Sequence, residues 1–256
     1  MKRSRQYYIR KSHRFLGLLL GIQFVLWTVG GLYFSWSNMD EVHGDFERKR
    51  VPLLPSSDSL VSPTQVLRSI SALHRIDSLV SLQVVDILGK PYYQVRCISA
   101  LETNSSSIHH EEAMEHLADA RTGTLRGPLS EQEAVQVAQR HFVVDAAVKK
   151  VEYIDATNGH HEYRSGPLPA YAIQFDHPSQ AVVYVASSLG TVQKVRNDKW
   201  RIFDFLWMMH TMDYESRDEF GNTLLRVFSI FGLITVLSGF ALFFTTSKWL
   251  KKSKGY

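Results

Sequence analysis

Two long apolar runs dominate the pattern of hydrophobic and polar positions along the chain. The first, residues 15–34, reads FLGLLLGIQFVLWTVGGLYF and carries no charge, and the second, residues 224–244, reads LLRVFSIFGLITVLSGFALFF with Arg226 as its only charge. A helix needs roughly 20 residues to cross about 30 Å of hydrocarbon. A buried core helix can be equally apolar, but two such runs near opposite termini predict transmembrane helices at residues 15–36 and 223–245.

The sequence between the runs changes to shorter helix and strand patterns. Residues 37–61 are predicted as a linker, because the stretch RKRVPLLPSSDSL is rich in Pro and Ser. The next segment, SPTQVLRSISAL, predicts a helix with Ser62 as N-cap and Pro63 at its first position. SLQVVDIL and YYQVRCI then predict two strands of a hairpin joined by GKP.

A second cycle of the same order follows. LSEQEAVQVAQRHF opens with Ser130 and has Glu133 three residues later, which is the pattern of a capping box, and KKVEYIDA and AYAIQF alternate like strands. The two cycles end in similar segments, ADARTGTLRG and VASSLGTVQK, where Gly123 and Gly190 are expected to turn with positive φ. The sequence therefore predicts two tandem α+β modules, at residues 62–129 and 130–198.

Charge is segregated along the chain. The tail 1–14 carries six Lys/Arg and the tail 246–256 carries four Lys, both without acids, whereas all 25 Asp/Glu lie between Asp40 and Glu219 with 18 of the 29 Lys/Arg. The positive-inside rule places both tails in the cytoplasm and the central segment on the exported side of the membrane, which we expect to be a bacterial inner membrane. The net positive charge of the chain therefore comes from the two tails that flank the predicted membrane spans, and no nucleic-acid partner is expected.

Several further features fit an exported segment without a disulfide framework. SWSNMDEVHG after the first run offers no small-x-small cleavage site, so the first run is interpreted as an uncleaved signal anchor. Cys97 is the only cysteine and is expected to be a buried, inert thiol. Residues 199–222 are predicted as a juxtamembrane amphipathic helix, with Trp200, Trp207 and Tyr214 suited to the headgroup level.

The order of these segments resembles that of PepSY-associated transmembrane proteins. HRFLGLLLGIQFVLWTVGGLYF is similar to their first helix, the helix-strand-strand-strand cycles resemble the PepSY domain read twice, and FLWMMHTMDY is similar to their histidine segment ahead of the next span. Larger members have about four spans and include inner-membrane reductases of ferric siderophores, which carry haem between helices with His as axial ligands. The resemblance thus implies an α+β membrane protein concerned with iron or siderophore handling.

Three histidines at predicted membrane edges are the candidate cofactor ligands. His13 enters the first run from the cytoplasmic side, and His43 and His210 lie on the exported side. Bis-His haem needs two imidazoles at the same membrane depth. His43 and His210 are therefore the only complete pair within the chain and are predicted as axial ligands of haem b, whereas His13 could serve only with a second subunit.

Other interpretations of the histidines stay open. His210 could simply pack in an interfacial helix, or it could bind copper with the soft ligands Met208, Met209 and Met212, although these three methionines do not share one helical face. The remaining eight histidines are expected at the surface or partly buried; they are His74, His109, His110, His116, His141, His160, His161 and His177.

Two functions of different classes follow from the sequence. One is an accessory or redox subunit in iron handling that holds haem b and borrows its electrons, because the chain has no nicotinamide or flavin fingerprint. The other is a non-enzymatic, membrane-anchored binding or regulatory module whose PepSY pair contacts an exported protein or protease. In both, lipid surrounds the spans, and small residues predict a helix–helix partner or a homodimer; these residues are Gly17, Gly21, Gly232, Ser238 and Gly239.

Overall fold

The protein is a mixed α+β chain that divides into two compact units. The computed structural model describes residues 5–50, 54, 59–98, 113–217 and 219–246. Met1–Asn38 and Arg201–Tyr256 form one unit, called the helical unit below, and Met39–Trp200 form the other, called the α+β unit. The predicted tail 246–256 beyond its first residue, and the loop that contains His109 and His110, lie outside the described residues.

The helical unit contains the two apolar runs as long helices. Helix α1 is Arg5–Trp36 and helix α6 is Thr223–Thr246. Both are long and apolar enough to cross a membrane, over Tyr7–Trp36 and Thr223–Thr245. Only 17% of the apolar window of α1 and 11% of that of α6 are buried inside the protein. Burial of this extent does not fit the core helix of a soluble domain, which covers its apolar surface with protein.

Small residues let α1 and α6 approach each other. A Cβ atom at Gly232 would lie 3.2 Å from the ring of Phe24, and one at Gly239 would lie 3.2 Å from Cε1 of His13. Even an alanine at either position would require the neighbouring ring to move by a few tenths of an ångström, so these two glycines are part of the contact within the chain.

The α+β unit repeats one order of elements twice. Helix α3, Pro63–Ser71, precedes a sheet of order β1-β2-β3-β4, and helix α4, Glu131–His141, precedes a sheet of order β5-β6-β7-β8. All neighbouring strands are antiparallel. The eight strands, in chain order, are Ser78–Ile87, Lys90–Ile98, Ala113–Asp119, Leu125–Arg126, Val148–Ile154, Ala170–Phe175, Val182–Ala186 and Thr191–Arg196.

Local signals in the sequence set the ends of these elements. The Ser62 side chain accepts a hydrogen bond from the Thr64 backbone N–H, with Pro63 at the first helical position, and Ser130 and Glu133 form the predicted capping box. Gly123 and Gly190 have φ of 77° and 71°, as expected for the two closing turns. These features confirm the predicted helix starts and turns.

The two sheets share one hydrophobic core. Ala134 and Val137 on α4 pack against the second sheet, and the same cluster contains Ile87 and Leu117 from the first sheet. A smaller cluster lies under α3 and is centred on Val66, Ile70, Tyr93, Val95, Cys97 and Ala118. The tandem modules are therefore fused into one compact unit, because side chains of the first sheet complete the core of the second.

The beginning of the predicted linker 37–61 is folded onto the second sheet. It contains helix α2, Met39–His43, and a 3-10 helix, Asp45–Glu47. Val42 is 2% exposed, and Arg48 forms an antiparallel bridge with Phe142 at the end of α4. This stretch is part of the α+β unit because it buries an apolar side chain and pairs its backbone there.

Candidate functional site

His210 lies near the C-terminal end of helix α5, Asp198–Thr211, and packs against α1. Its ring centre is 6.1 Å from that of Trp27 and 5.8 Å from that of Phe34. Its Nδ1 is buried without a hydrogen-bond partner among the described residues, and a Cβ atom at Gly30 would lie 3.9 Å from it. The imidazole therefore sits among aromatic rings of the helical unit with one ring nitrogen uncommitted.

Side chains of α1 satisfy the carbonyls at the end of α5. Gln23 Nε2 donates to the Met209 carbonyl at 2.8 Å, and Trp27 Nε1 donates to the His210 carbonyl at 2.9 Å. The last four carbonyls of any helix lack partners within the helix. Gln23 and Trp27, four residues apart on one face of α1, therefore fix α5 on α1. A glutamine in the middle of an apolar run is the sequence signal that could have revealed this contact.

The turn after α5 is organised by Asp213. Met212, with φ of 54°, ends the helix, and the Asp213 carboxylate accepts hydrogen bonds from the backbone N–H groups of Glu215, Ser216 and Glu219 and from the Ser216 hydroxyl. Burial alone would raise the pKa of Asp213, but these hydrogen bonds to its charged form outweigh burial and lower the pKa well below its usual value. The carboxylate is thus a structural anion that orders the turn.

We expect Asp213→Asn to destabilise the helical unit by about 2 kcal/mol at neutral pH, because hydrogen bonds to a charged group contribute roughly 1.5–3 kcal/mol. The folded pKa lies below the unfolded value of about 3.9, so the contribution is present above that pH and is lost as pH falls through the folded pKa. Thermal unfolding in detergent from pH 7 down to pH 2 measures it, and the difference between variant and wild type should begin to shrink only below about pH 3.9. Glu215→Gln, an exposed change in the same turn, should retain the wild-type pH profile.

His13 is oriented by α6. Its Nδ1 lies 2.8 Å from Ser238 Oγ, and that hydroxyl donates its own proton to the Thr235 carbonyl at 2.8 Å. Ser238 must then accept from His13 Nδ1–H, which leaves the Nε2 lone pair of a neutral imidazole for another partner. Ser238 is the residue that the sequence interpretation missed here, since nothing in its context distinguishes it from other small residues of the span.

His43 lies in the α+β unit, whereas His13 and His210 lie in the helical unit. His43 is the last residue of α2 and is exposed. The structure places His13 against Ser238 and His210 against Trp27, at separate points along α1. The predicted pairing of His43 with His210 across the two units stays a prediction.

A cleft in the α+β unit lies between the α2 segment and the end of the second sheet. It has a volume of about 430 Å³ and is lined by Glu41, Phe46, Glu47, Pro178, Ser179, Asn197, Asp198 and Lys199. Asn197, 3% exposed, donates through Nδ2 to the Glu41 carbonyl at 2.9 Å and to Glu47 Oε2 at 2.7 Å. Its Oδ1 accepts from the Trp200 N–H at 2.8 Å, so one buried amide holds both walls.

The chemistry of this cleft combines an apolar and an acidic surface. The Phe46 side chain is 58% exposed at the rim of the cleft, so its ring is available for an apolar contact. Glu47 and Asp198 add carboxylates, and Lys199 forms an ion pair with Glu41. The arrangement suits a ligand that carries an apolar side chain next to a positive charge.

The described residues contain no cluster of three or more potential metal ligands. No group of three or more His, Cys, Asp or Glu within the described ranges could hold a metal ion. Cys97 is buried, and burial raises the pKa of its thiol, which agrees with the inert role predicted for it.

Comparison of the chain with protein-family models, with curated proteins and with solved structures finds no match. The resemblance to PepSY-associated proteins therefore rests on the quoted segments of the sequence alone.

Proposed function

We propose that this chain is a membrane-anchored binding module. In this proposal α1 and α6 span a bacterial inner membrane, both termini are cytoplasmic, and the α+β unit is exported. The low burial of both apolar helices and the basic tails support the topology. The cleft at Phe46 carries the functional part of the proposal, because it is a formed, partly apolar concavity with few polar groups.

The partner that suits the cleft is an exported protein with a basic and apolar segment. The central segment from Asp40 to Glu219 has 25 acids against 18 of the 29 Lys/Arg, so its field attracts positive charge. At the cleft itself, Phe46 offers the apolar contact and Glu47 offers the charge. Electrostatic complementarity of this kind speeds association and selects partners.

Site-specific photocrosslinking in the full-length protein tests this function. A photoreactive residue at position 46 should give a discrete adduct with an exported protein, and one at Tyr153, 54% exposed on β5, should not. Glu47→Gln keeps an acceptor for Asn197 but removes the charge, so it should reduce the adduct at position 46. Equal adducts at both positions, or an adduct indifferent to Glu47→Gln and to salt, would contradict the proposal.

A second candidate is a haem-holding accessory or redox subunit in iron and siderophore handling. The observation in its favour is His13, whose Nδ1 is paired with Ser238 Oγ, as an outer-shell acceptor orients an axial imidazole. His210 has an uncommitted Nδ1, but it faces Gly30. A Soret band of the purified protein, and its loss in His13→Ala, His43→Ala or His210→Ala, would identify the ligands. Absence of haem would reject this candidate.

We also propose that the membrane-anchored module forms a homodimer through its spans. Of the predicted small residues, Gly232 and Gly239 contact Phe24 and His13 within the chain. No described residue lies within 4 Å of a Cβ atom placed at Gly17 or Gly21. These two glycines, four residues apart, therefore offer the open small-xxx-small face for a second copy.

A further inference from the structure

Two histidines of the α+β unit lie side by side at the end of helix α3. His74 is in the turn that follows α3 and is exposed, whereas His116 is on β3 and is partly buried. Their ring centres are 5.5 Å apart and the ring planes are inclined by 31°. His116 is opposite Val95 in the sheet, on the face that α3 covers, so the backbone holds its imidazole at the end of the helix.

The His116 ring has an unused nitrogen. Its Nε2 is buried and has no hydrogen-bond partner among the described residues. Buried polar atoms without partners are rare and require an explanation. Neutral imidazole is also the form that binds metal ions.

The spacing of the rings matches that of two imidazoles on one metal ion. Metal–nitrogen distances of about 2.0–2.1 Å in a tetrahedral site put two ring centres roughly 5 Å apart. The cation next to His74 in sequence, Arg75, is paired with Asp77 at 2.9 Å, so its positive charge is offset by a carboxylate. The exposure of His74 leaves room for water to complete the coordination.

We propose that His74 and His116 form a two-imidazole binding site for a late first-row transition-metal ion, with water in the remaining positions. Imidazole suits copper and zinc, and divalent affinity rises from Mn(II) to Cu(II) before it falls at Zn(II). The site uses none of the residues that line the cleft at Phe46 and none of the three candidate haem histidines, His13, His43 and His210. It lies in the part of the chain that is exported in the proposed topology.

Titration of the metal-free, full-length protein in detergent with Cu(II), Zn(II) and Mn(II) tests the site. We expect one ion per chain, with Cu(II) the tightest and Mn(II) the weakest. His74→Ala should lower the Cu(II) affinity at least about tenfold, the smallest loss seen even for outer-shell partners of a metal. Because His74 is exposed, this variant should keep the melting temperature of the metal-free protein.

A control variant and a spectroscopic measurement separate this pair from the other histidines. His160→Ala, an exposed change in the same unit, should retain wild-type affinity. Electron paramagnetic resonance of the Cu(II) complex should show two nitrogen ligands in the wild type and one in His74→Ala or His116→Gln. No binding by the wild type, or unchanged affinity and nitrogen count in His74→Ala, would overturn the proposal.

Discussion

Gly190→Ala should destabilise the α+β unit by about 2–5 kcal/mol. Gly190 has φ of 71°, where an alanine is strained by roughly 1–2 kcal/mol. Its Cβ atom would also lie 2.3 Å from Ile87 Cδ1 and 3.2 Å from Leu117 Cδ1, and overpacking of a core typically adds about 1–3 kcal/mol. Denaturant unfolding, with hydrogen exchange of residues 182–196 as the local readout, measures the loss.

The equivalent turn of the first module supplies the matched control. Gly123 has φ of 77°, but its Cβ atom would meet the Gln65 side chain at 3.1 Å. Gln65 is exposed and is held, among the described residues, only by a long hydrogen bond of 3.4 Å to the Thr122 carbonyl, so its side chain can shift. Gly123→Ala should therefore reduce the free energy of unfolding only by the strain of an alanine at positive φ, about 1–2 kcal/mol. Ile87→Val removes the clashing Cδ1 and should partly rescue Gly190→Ala. Equal losses at the two glycines, or no rescue, would mean that the modules do not share a core at this point.

The comparison of the two turns shows what the sequence can and cannot predict. Capping residues and turn glycines act locally, so Ser62, Ser130, Gly123 and Gly190 predicted helix starts and turns correctly. The fusion of the modules depends on Ile87, which alternates with its neighbours like any strand residue. The contact of Ile87 with the second module depends on the packing of residues far apart in the sequence, and no local sequence pattern predicts it.

The candidate sites likewise combine features that the sequence predicts with contacts that depend on how the elements pack. The two long helices follow from hydropathy because each is defined by its own composition. The partner of His13 depends on the register of α1 against α6, and the pairing of His74 with His116 depends on how α3 meets the first sheet. Sequence spacing therefore identifies the imidazoles, and only the packing of the elements shows which nitrogen is free.

Loss of the hydrogen bonds that hold α5 on α1 is the second change for which we expect a large loss of stability. Gln23 is the residue whose substitution should have the largest effect on this contact. Gln23 is 7% exposed and donates to the Met209 carbonyl. Gln23→Leu keeps the size of the side chain but leaves that carbonyl without a donor, which costs about 1–3 kcal/mol in a buried site and more where lipid replaces water. We expect faster hydrogen exchange in residues 207–217 and unfolding at a lower concentration of sodium dodecyl sulfate.

Thr28→Val is the matched control for the loss of a polar group from α1. The Thr28 hydroxyl donates to the Phe24 carbonyl of its own helix at 2.8 Å and serves no carbonyl of α5, so this change should alter stability by less than about 0.5 kcal/mol. Trp27→Phe, which removes the donor to the His210 carbonyl, should resemble Gln23→Leu. If Gln23→Leu proves as mild as Thr28→Val, the side chains of α1 do not hold the end of α5, and His210 owes its position to aromatic packing alone.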